Sequence, residues 1–271
     1  MGEARVSAPQ TARSELAELV AEAAPGLKGA PPEEVLAWAL STFHRDRIAL
    51  CTSLQDEGMV LLDMAWRTWP GVQVFTIDTG RLPAATFDLM EEVRNKYGIR
   101  LEVLLPDGEE ISKMVTRHGV NLFYESPELR LSCCEVRKVN PLNRKLATLD
   151  AWITGLRYDQ SVARGSTEEV ELDVAKGGIV KVNPLASWTH EQVQEYIARY
   201  DVPRNALYSR GYTSIGCDPC TRAIEPGEDL RAGRWWWENG DKECGIHYEM
   251  QVDERGEPVV VSMRGKGNGE G

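Results

Sequence analysis

Apolar residues recur along the first half of the chain in short blocks, and helical stretches separate the blocks. Arg47 to Thr52 holds the run Ile48-Ala49-Leu50-Cys51 and is expected to be a strand. Ser53-Leu54-Gln55-Asp56 follows as a turn, and Gly58 to Trp66 reads as an apolar helix. Gly71 to Ile77 is rich in β-formers and ends at Asp78-Thr79-Gly80; Pro83 to Tyr97 is helical with Gly98 as its stop; Ile99 to Leu105 is a third strand. Upstream, Ser14 to Ala24 suits a short helix broken by Pro25, Gly26 and Gly29, and Pro31-Pro32-Glu33-Glu34 opens a second helix to about Phe43. Downstream, Trp152-Ile153-Thr154 is a fourth strand, and Lys176-Gly177-Gly178-Ile179 is a hairpin turn near a sheet edge. Thr189-His190-Glu191-Gln192 has capping-box spacing and starts a helix to about Tyr200. Strand, helix, strand, helix, strand predicts an α/β fold: a single domain whose parallel central sheet is flanked by helices. From Gly211 onward the chain is turn-rich, with Trp235-Trp236-Trp237 expected to pack it down, and Gly265 to Gly271 is expected to be disordered. The chain thus divides into a peripheral segment (1–30), the α/β domain (31–230), a mobile C-terminal segment carrying Cys244 (231–250) and a tail (251–271).

Charge narrows the function classes. Of 271 residues, 31 are Lys or Arg and 42 are Asp or Glu, a formal net charge of -11, which argues against a broad nucleic-acid-binding surface. No apolar run is long enough to span a bilayer, and Met1 to Gln10 lacks the order of a signal peptide. A cytoplasmic protein is expected, neither membrane-embedded nor secreted.

The six cysteines carry the chemistry. A chain of this size without a signal peptide is a poor candidate for three disulfides. Cys133 and Cys134 are adjacent, and Cys217-Asp218-Pro219-Cys220 is a C-x-x-C pair, so four thiolates in two local pairs can close on one metal centre. An adjacent Cys-Cys makes a poor zinc knuckle, and an iron–sulfur cluster also takes four thiolates in a wider cage. Cys51 lies in an apolar run and is read as a buried strand residue. Cys244, in Lys242-Glu243-Cys244-Gly245-Ile246-His247, has a cation, a glycine and a histidine close by, which suits a reactive thiolate with His247 as an acid/base or anion contact.

In an α/β sheet ligands bind beyond the carboxyl ends of the strands. Ser53 to Gly58, Asp78-Thr79-Gly80-Arg81, and Gly155-Leu156-Arg157 with Arg164 fall there. The first of these lacks the Walker A pattern. Basic residues cluster despite the acidic total: Arg130, Arg137, Lys138, Arg144 and Lys145 flank Cys133-Cys134, and Arg231 and Arg234 precede Cys244. As a set they fit a site for a small phosphate- or sulfate-like anion.

Together Ser132-Cys133-Cys134-Glu135-Val136-Arg137-Lys138, Ile215-Gly216-Cys217-Asp218-Pro219-Cys220-Thr221-Arg222 and Lys242-Glu243-Cys244-Gly245-Ile246-His247 resemble the sulfonucleotide reductases of sulfate assimilation, in the branch with two cysteine pairs that uses adenylyl sulfate (APS). Phe75-Thr76-Ile77-Asp78-Thr79-Gly80-Arg81-Leu82, Ile153-Thr154-Gly155-Leu156-Arg157 and Arg231-Ala232-Gly233-Arg234-Trp235-Trp236-Trp237 are similar too, so the resemblance spans about residues 40–250. It implies an adenine-nucleotide α-hydrolase-like fold, and one 4Fe-4S cluster per subunit on Cys133, Cys134, Cys217 and Cys220. It implies Cys244 as the nucleophile. It implies Lys138 as the basic residue between cluster and substrate, Arg231, Arg234 and His247 on the sulfate side of the substrate, and Ser53, Gly155 and Arg164 on the nucleotide side. The implied reaction converts APS to sulfite and AMP in sulfate assimilation, through an S-sulfocysteine on Cys244 that an external thioredoxin resolves. The partners implied are the nucleotide and thioredoxin, with no nucleic acid or membrane and with a homo-oligomer allowed. The family's first loop runs like S-F-x-x-E-D; here it is Ser53-Leu54-Gln55-Asp56-Glu57-Gly58, with Gly58 in place of the second acid. Competing expectations are a reductase for the 3′-phosphorylated nucleotide (PAPS), an ATP-pyrophosphatase-type sulfurtransferase, whose S-G-G-x-D-S loop is absent around Ser53, and a non-catalytic zinc module.

Overall fold

The computed structural model describes residues 10–158, 167–238, 244–255 and 257–263. These fall into two compact units. One holds the described residues within Met1–Thr76, Ala85–Glu102 and Lys145–Asn205, the other those within Ile77–Ala84, Val103–Arg144 and Ala206–Gly271.

The first unit carries a six-stranded sheet. Its strands are β1 (Ile48–Cys51), β2 (Val74–Ile77), β3 (Leu101–Leu104), β4 (Ala151–Ile153), β5 (Val170–Asp173) and β6 (Ile179–Val182), in the order β3-β2-β1-β4-β6-β5. β1 runs parallel to β2 and β4, and β4 parallel to β6. β5 is the antiparallel edge strand: it pairs with β6 through the turn expected around Gly177 and Gly178, both at positive φ. The sheet is therefore mostly parallel. Helices α1 (Gln10–Leu27), α2 (Pro32–Thr42), α3 (Asp56–Thr68), α4 (Ala84–Tyr97) and α8 (His190–Tyr200) accompany it. Their apolar stripes meet the strands in one cluster that includes Leu36, Leu50, Met59, Leu61, Val93, Ile153, Val182 and Ile197. Thr189 and Gln192 make both bonds of the capping box that starts α8, and Gly98 ends α4 at φ 63°. α1 runs two residues past Pro25; a proline this close to the end of a helix removes one bond without stopping it. Asp63 is fully buried in this core, accepting from Arg67, from Tyr97 Oη at 3.1 Å and from Tyr196 Oη at 2.9 Å.

The second unit holds helices the periodicity did not predict: α5 (Gly108–His118), α6 (Pro127–Cys134) and α7 (Asn140–Leu146), the last two joined by a π-helical stretch at Glu135–Val139. Their start signals are local. Asp107 caps α5 by accepting from Glu109 and Glu110 N–H, and Ser126 caps α6 with Pro127 in its first turn. The core of this unit joins Met114, Leu122, Phe123 and Trp235 to Cys133 and Cys220. Trp235 is 1% exposed, in line with its expected packing role, while Trp236 is exposed. Part of the segment read as a tail forms a hairpin of β7 (Tyr248–Val252) and β8 (Pro258–Met263), paired antiparallel. Gly265 to Gly271 lies outside the described residues. No helix among the described residues is long and apolar enough to cross a membrane.

Candidate active site

In the first unit the strand order turns at β1 and β4, the topological position where α/β sheets leave a crevice. The loop after β1 begins at exposed Ser53. Leu54 follows at φ 58°, buried, a strained conformation for a branched side chain. Thr52 Oγ1 accepts from Leu54 N–H, closing the turn that leads into α3. Glu57 pairs with buried Arg157 at 3.2 Å, so the loop after β1 is tied to the segment after β4. Gly155 stands in that contact: a Cβ there would lie 3.0 Å from Glu57 Cβ and 3.1 Å from Gly58 N. Asp56, 4% exposed, takes two bonds from Arg204 and one from Gln194. Gly58 in turn packs against the Thr52 side chain, which leaves no room for an acid. The loop's departure from the family pattern is thus accommodated by Thr52, with Asp56 and Glu57 both engaged in ion pairs.

In the second unit one cavity is lined by Cys133, Cys134, Cys217, Cys220 and Cys244, together with Lys138, Arg130, Arg137, Arg234, Thr79 and Trp235. α6 delivers Cys133 and Cys134 at its last turn, and the π-helical stretch delivers Arg137 and Lys138 directly afterwards. π-turns of this kind are frequent at functional sites. Pro219 opens a short 3-10 turn that closes Cys217-Asp218-Pro219-Cys220, and Thr221 Oγ1 ties the turn by donating to the Cys217 carbonyl. None of the six cysteines is in a disulfide. Cys51 ends β1 half-buried, not fully buried as expected, since it is the last residue of its strand.

Polar contacts organise the wall. Arg137 donates to the Thr79 carbonyl at 2.8 Å and hydrogen-bonds Cys133; Thr79 Oγ1 lies 3.2 Å from Cys217 Sγ. Lys138 Nζ donates to Cys244 Sγ at 3.6 Å. Gly245 packs so closely on Cys134 that a Cβ there would collide with the Cys134 side chain. Arg130 and Arg234 stack on the Trp235 ring, each with its guanidinium carbon 4.5 Å from the centroid, and Arg130 makes a buried ion pair with Glu238 at 2.6 Å. Arg234 is buried, and the Gly216 backbone comes so near its guanidinium that a side chain at 216 would displace it.

The electrostatics follow from these contacts. Burial pushes the Cys133 thiol up and the Cys220 thiol up to about 12. Cys134 rises well above the usual thiol range, first through its hydrogen bond with Cys244 and then through burial. Attraction to Cys244 raises Lys138 and holds it protonated, while burial lowers Arg234.

The cavity accordingly brings together seven of the expected site residues: Cys133, Cys134, Cys217, Cys220, Lys138, Arg234 and Cys244. Arg231 lies half-buried, three residues before Arg234 and outside the lining. Ser53 and Gly155 belong to the first unit. Arg164 and the His247 side chain lie outside the described residues. Arg204 was missed altogether, because an arginine between Pro203 and Asn205 carries no local signal of the carboxylate it meets.

The phosphoadenosine phosphosulfate reductase domain model matches residues 47–223. A Burkholderia cepacia protein named adenosine 5′-phosphosulfate reductase is 50% identical over 205 residues, covering 75% of this chain and 82% of its own. A protein of the same name from Allochromatium vinosum is 49% identical over 203 residues, covering 74% and 79%. Among solved structures, phosphoadenylyl-sulfate reductase from Candida auris in its phosphate complex matches with a TM-score of 0.60 and 31% identity over 79% of this chain and 98% of that one. Yeast FAD synthetase shares the fold alone, with a TM-score of 0.50 and 12% identity over 82% and 70%.

Proposed function

The chain belongs to the phosphoadenosine phosphosulfate reductase domain family, and from that premise we propose that it reduces adenylyl sulfate to sulfite and AMP in sulfate assimilation. It is a sulfur-group oxidoreductase. The observation that carries the proposal is the meeting of Cys244 with Lys138 and Arg234 on the wall formed by the four paired cysteines.

Cys244 is the attacking group. Lys138, held charged beside its sulfur, favours the thiolate. The thiolate attacks the sulfur of APS; an S–S bond forms, the bond from sulfur to the bridging phosphate oxygen breaks, and AMP leaves with the electron pair. The substrate's anionic oxygens repel a thiolate, so Lys138 and Arg234 act by neutralising them, and Arg231 lies three residues from Arg234 to add to that field. Arg234 comes to this task already stacked and buried, so little reorganisation is needed when charge develops. The resulting S-sulfocysteine is resolved by an external dithiol, thioredoxin. One thiolate attacks Cys244 Sγ and expels sulfite, and the second thiol closes the reductant's disulfide and returns the Cys244 thiolate. Ser53, Gly155 and Arg164 serve the nucleotide, with His247 on the sulfate side, and the reaction takes place in the cytoplasm.

A 4Fe-4S cluster fits the donor set. The lining offers four paired thiols and three buried N–H donors without partners, Arg137 Nε, Arg234 Nε and Trp235 Nε1. Such donors suit a bulky, anionic, sulfide-rich group. Cys133, Cys134, Cys217 and Cys220 would hold it. When bound it supplies a polarisable charge centre beside Lys138 and a redox-active metal. The two-electron thiol chemistry above proceeds through Cys244 alone.

The Candida auris likeness favours PAPS as the second substrate reading. Thioredoxin-dependent sulfite release by anaerobically purified protein, measured with APS and with PAPS, tests both. Turnover of APS is expected; turnover of PAPS alone would transfer the chemistry to the other nucleotide, and no turnover of either would overturn the proposal.

A further inference from the structure

We propose that the hairpin β7–β8 is a clasp that holds Cys244 at the cavity, with Arg117 and Glu257 as its positioning residues. Cys244 leads into a short 3-10 turn, Gly245–His247, that runs without interruption into β7. The turn packs on α6 and on the π-helical stretch, and Gly245 rests on Cys134. β7 then pairs with β8 from Tyr248 opposite Met263 to Val252 opposite Pro258, and both strands pack against α6. Backbone order therefore continues from the turn after Cys244 to the far end of the hairpin.

The tip is built to be gripped. Asp253 Oδ1 accepts from Arg255 N–H and Glu257 N–H, each at 2.8 Å, and Asp253 N–H donates to the Glu257 carbonyl at 2.9 Å. This turn presents the Arg255 carbonyl and the Glu257 carboxylate together. Arg117, at the end of α5, donates to both through Nη2, at 2.5 Å and 2.7 Å, and His118 Nδ1 stands 4.0 Å from the same carboxylate. One guanidinium thus fastens the tip to a helix distinct from the one under the strands. Arg117 and Glu257 are both about half exposed, at 46% and 48%, so the tie is weak in water. A weak tie at the far end of the hairpin suits a segment that, in the proposed reaction, meets substrate in one step and a reductant in the next.

The inference rests on Cys244 as the attacking thiolate, but its test does not require turnover. In the anaerobically purified full chain, the rate of Cys244 carbamidomethylation by iodoacetamide is followed by peptide mass spectrometry, with Cys51 as the internal reference. Glu257→Arg and Arg117→Glu are each expected to raise the Cys244 rate about threefold to fivefold, the scale of a surface ion pair. The double exchange Arg117→Glu/Glu257→Arg is expected to return it to the wild-type rate. Rates equal in all four proteins, or a double exchange as fast as the single variants, would overturn the clasp. Inactivity of the wild-type protein toward APS with the alkylation pattern intact would overturn the proposed reaction and leave the clasp standing.

Discussion

The first unit closes over aliphatic side chains from its strands, including Val170 of β5 and partly buried Leu101 of β3, and from the flanking helices, with the carboxylate of Asp63 buried and hydrogen-bonded among them. The second closes over two tryptophans, a few apolar residues and four thiols, with three N–H donors left unpartnered along the cavity. The first is stabilised by area removed from water, which needs no guest. The second keeps polar groups poised for one, and its arginines are held by stacking on Trp235 and by the Arg130–Glu238 pair. Trp235, its ring centroid 4.5 Å from both guanidinium carbons, takes φ 45°, a conformation that costs about 1–3 kcal/mol and is retained where the surroundings impose it. Stability and chemistry are thus concentrated in different parts of the chain, and substitutions can separate them.

The sharpest separation is expected from Cys244→Ala. It removes the attacking sulfur and should lower thioredoxin-dependent sulfite release by about 10⁴-fold or more, with iron content and thermal stability unchanged. Sulfite release at the normal rate would remove Cys244 from the reaction. Next, Lys138→Ala deletes the ammonium 3.6 Å from that sulfur and should lower kcat by about 10²–10³-fold. A fall seen only in KM would make Lys138 a substrate contact without a role in the transition state.

The opposite pattern is expected in the first unit. Asp63→Ala strands two buried phenols, removes the partner of partly exposed Arg67 and should cost about 3–5 kcal/mol in urea unfolding. The network also has a pH signature. Tyr97 and Tyr196 are both raised, by burial foremost and by Asp63, so they stay protonated in the fold while unfolded tyrosine titrates near pH 10. Protons are then bound more tightly by the folded chain, and stability falls as pH rises past about 10. Tyr97→Phe/Tyr196→Phe should flatten that alkaline slope; an unchanged slope would assign it to other groups.

Gly155→Ala probes the nucleotide role proposed for this glycine. Its Cβ would press on Glu57, 3.0 Å away, at a cost of about 1–3 kcal/mol, and should raise KM for the nucleotide more than it lowers kcat. Equal losses of stability and kcat with KM intact would make the glycine purely structural. The smallest effect is expected from Thr189→Ala, which removes one side of the α8 capping box for about 1 kcal/mol and leaves turnover untouched.

Much of the first unit was legible along the chain because its rules are local. Alternation of apolar runs, Gly98 beyond α4 and the Thr189–Gln192 box each act within a few residues, and the elements formed within a few positions of where they were expected. The family was legible for a different reason: thiol pairs at short spacing and a cysteine followed by glycine form a specific pattern when they occur together. α5 to α7 went unread although Asp107 and Ser126-Pro127 signal two of their starts and Ile111, Met114 and Val115 give α5 an apolar face; α6 and α7 are too short to carry a sustained apolar period. The chain alone set the alternation of strands and helices that predicts a parallel α/β sheet, and the cysteine pattern that marks the family. Only the folded molecule decided that Cys133-Cys134 and Cys217–Cys220 share one wall, that Trp235 stacks with two arginines, that Asp56 belongs to Arg204, and that a hairpin follows Cys244 and is tied at its tip to Arg117. Each of those pairings joins residues distant in sequence, and the partner of a buried charge or thiol is chosen by packing, which no stretch of neighbouring residues encodes.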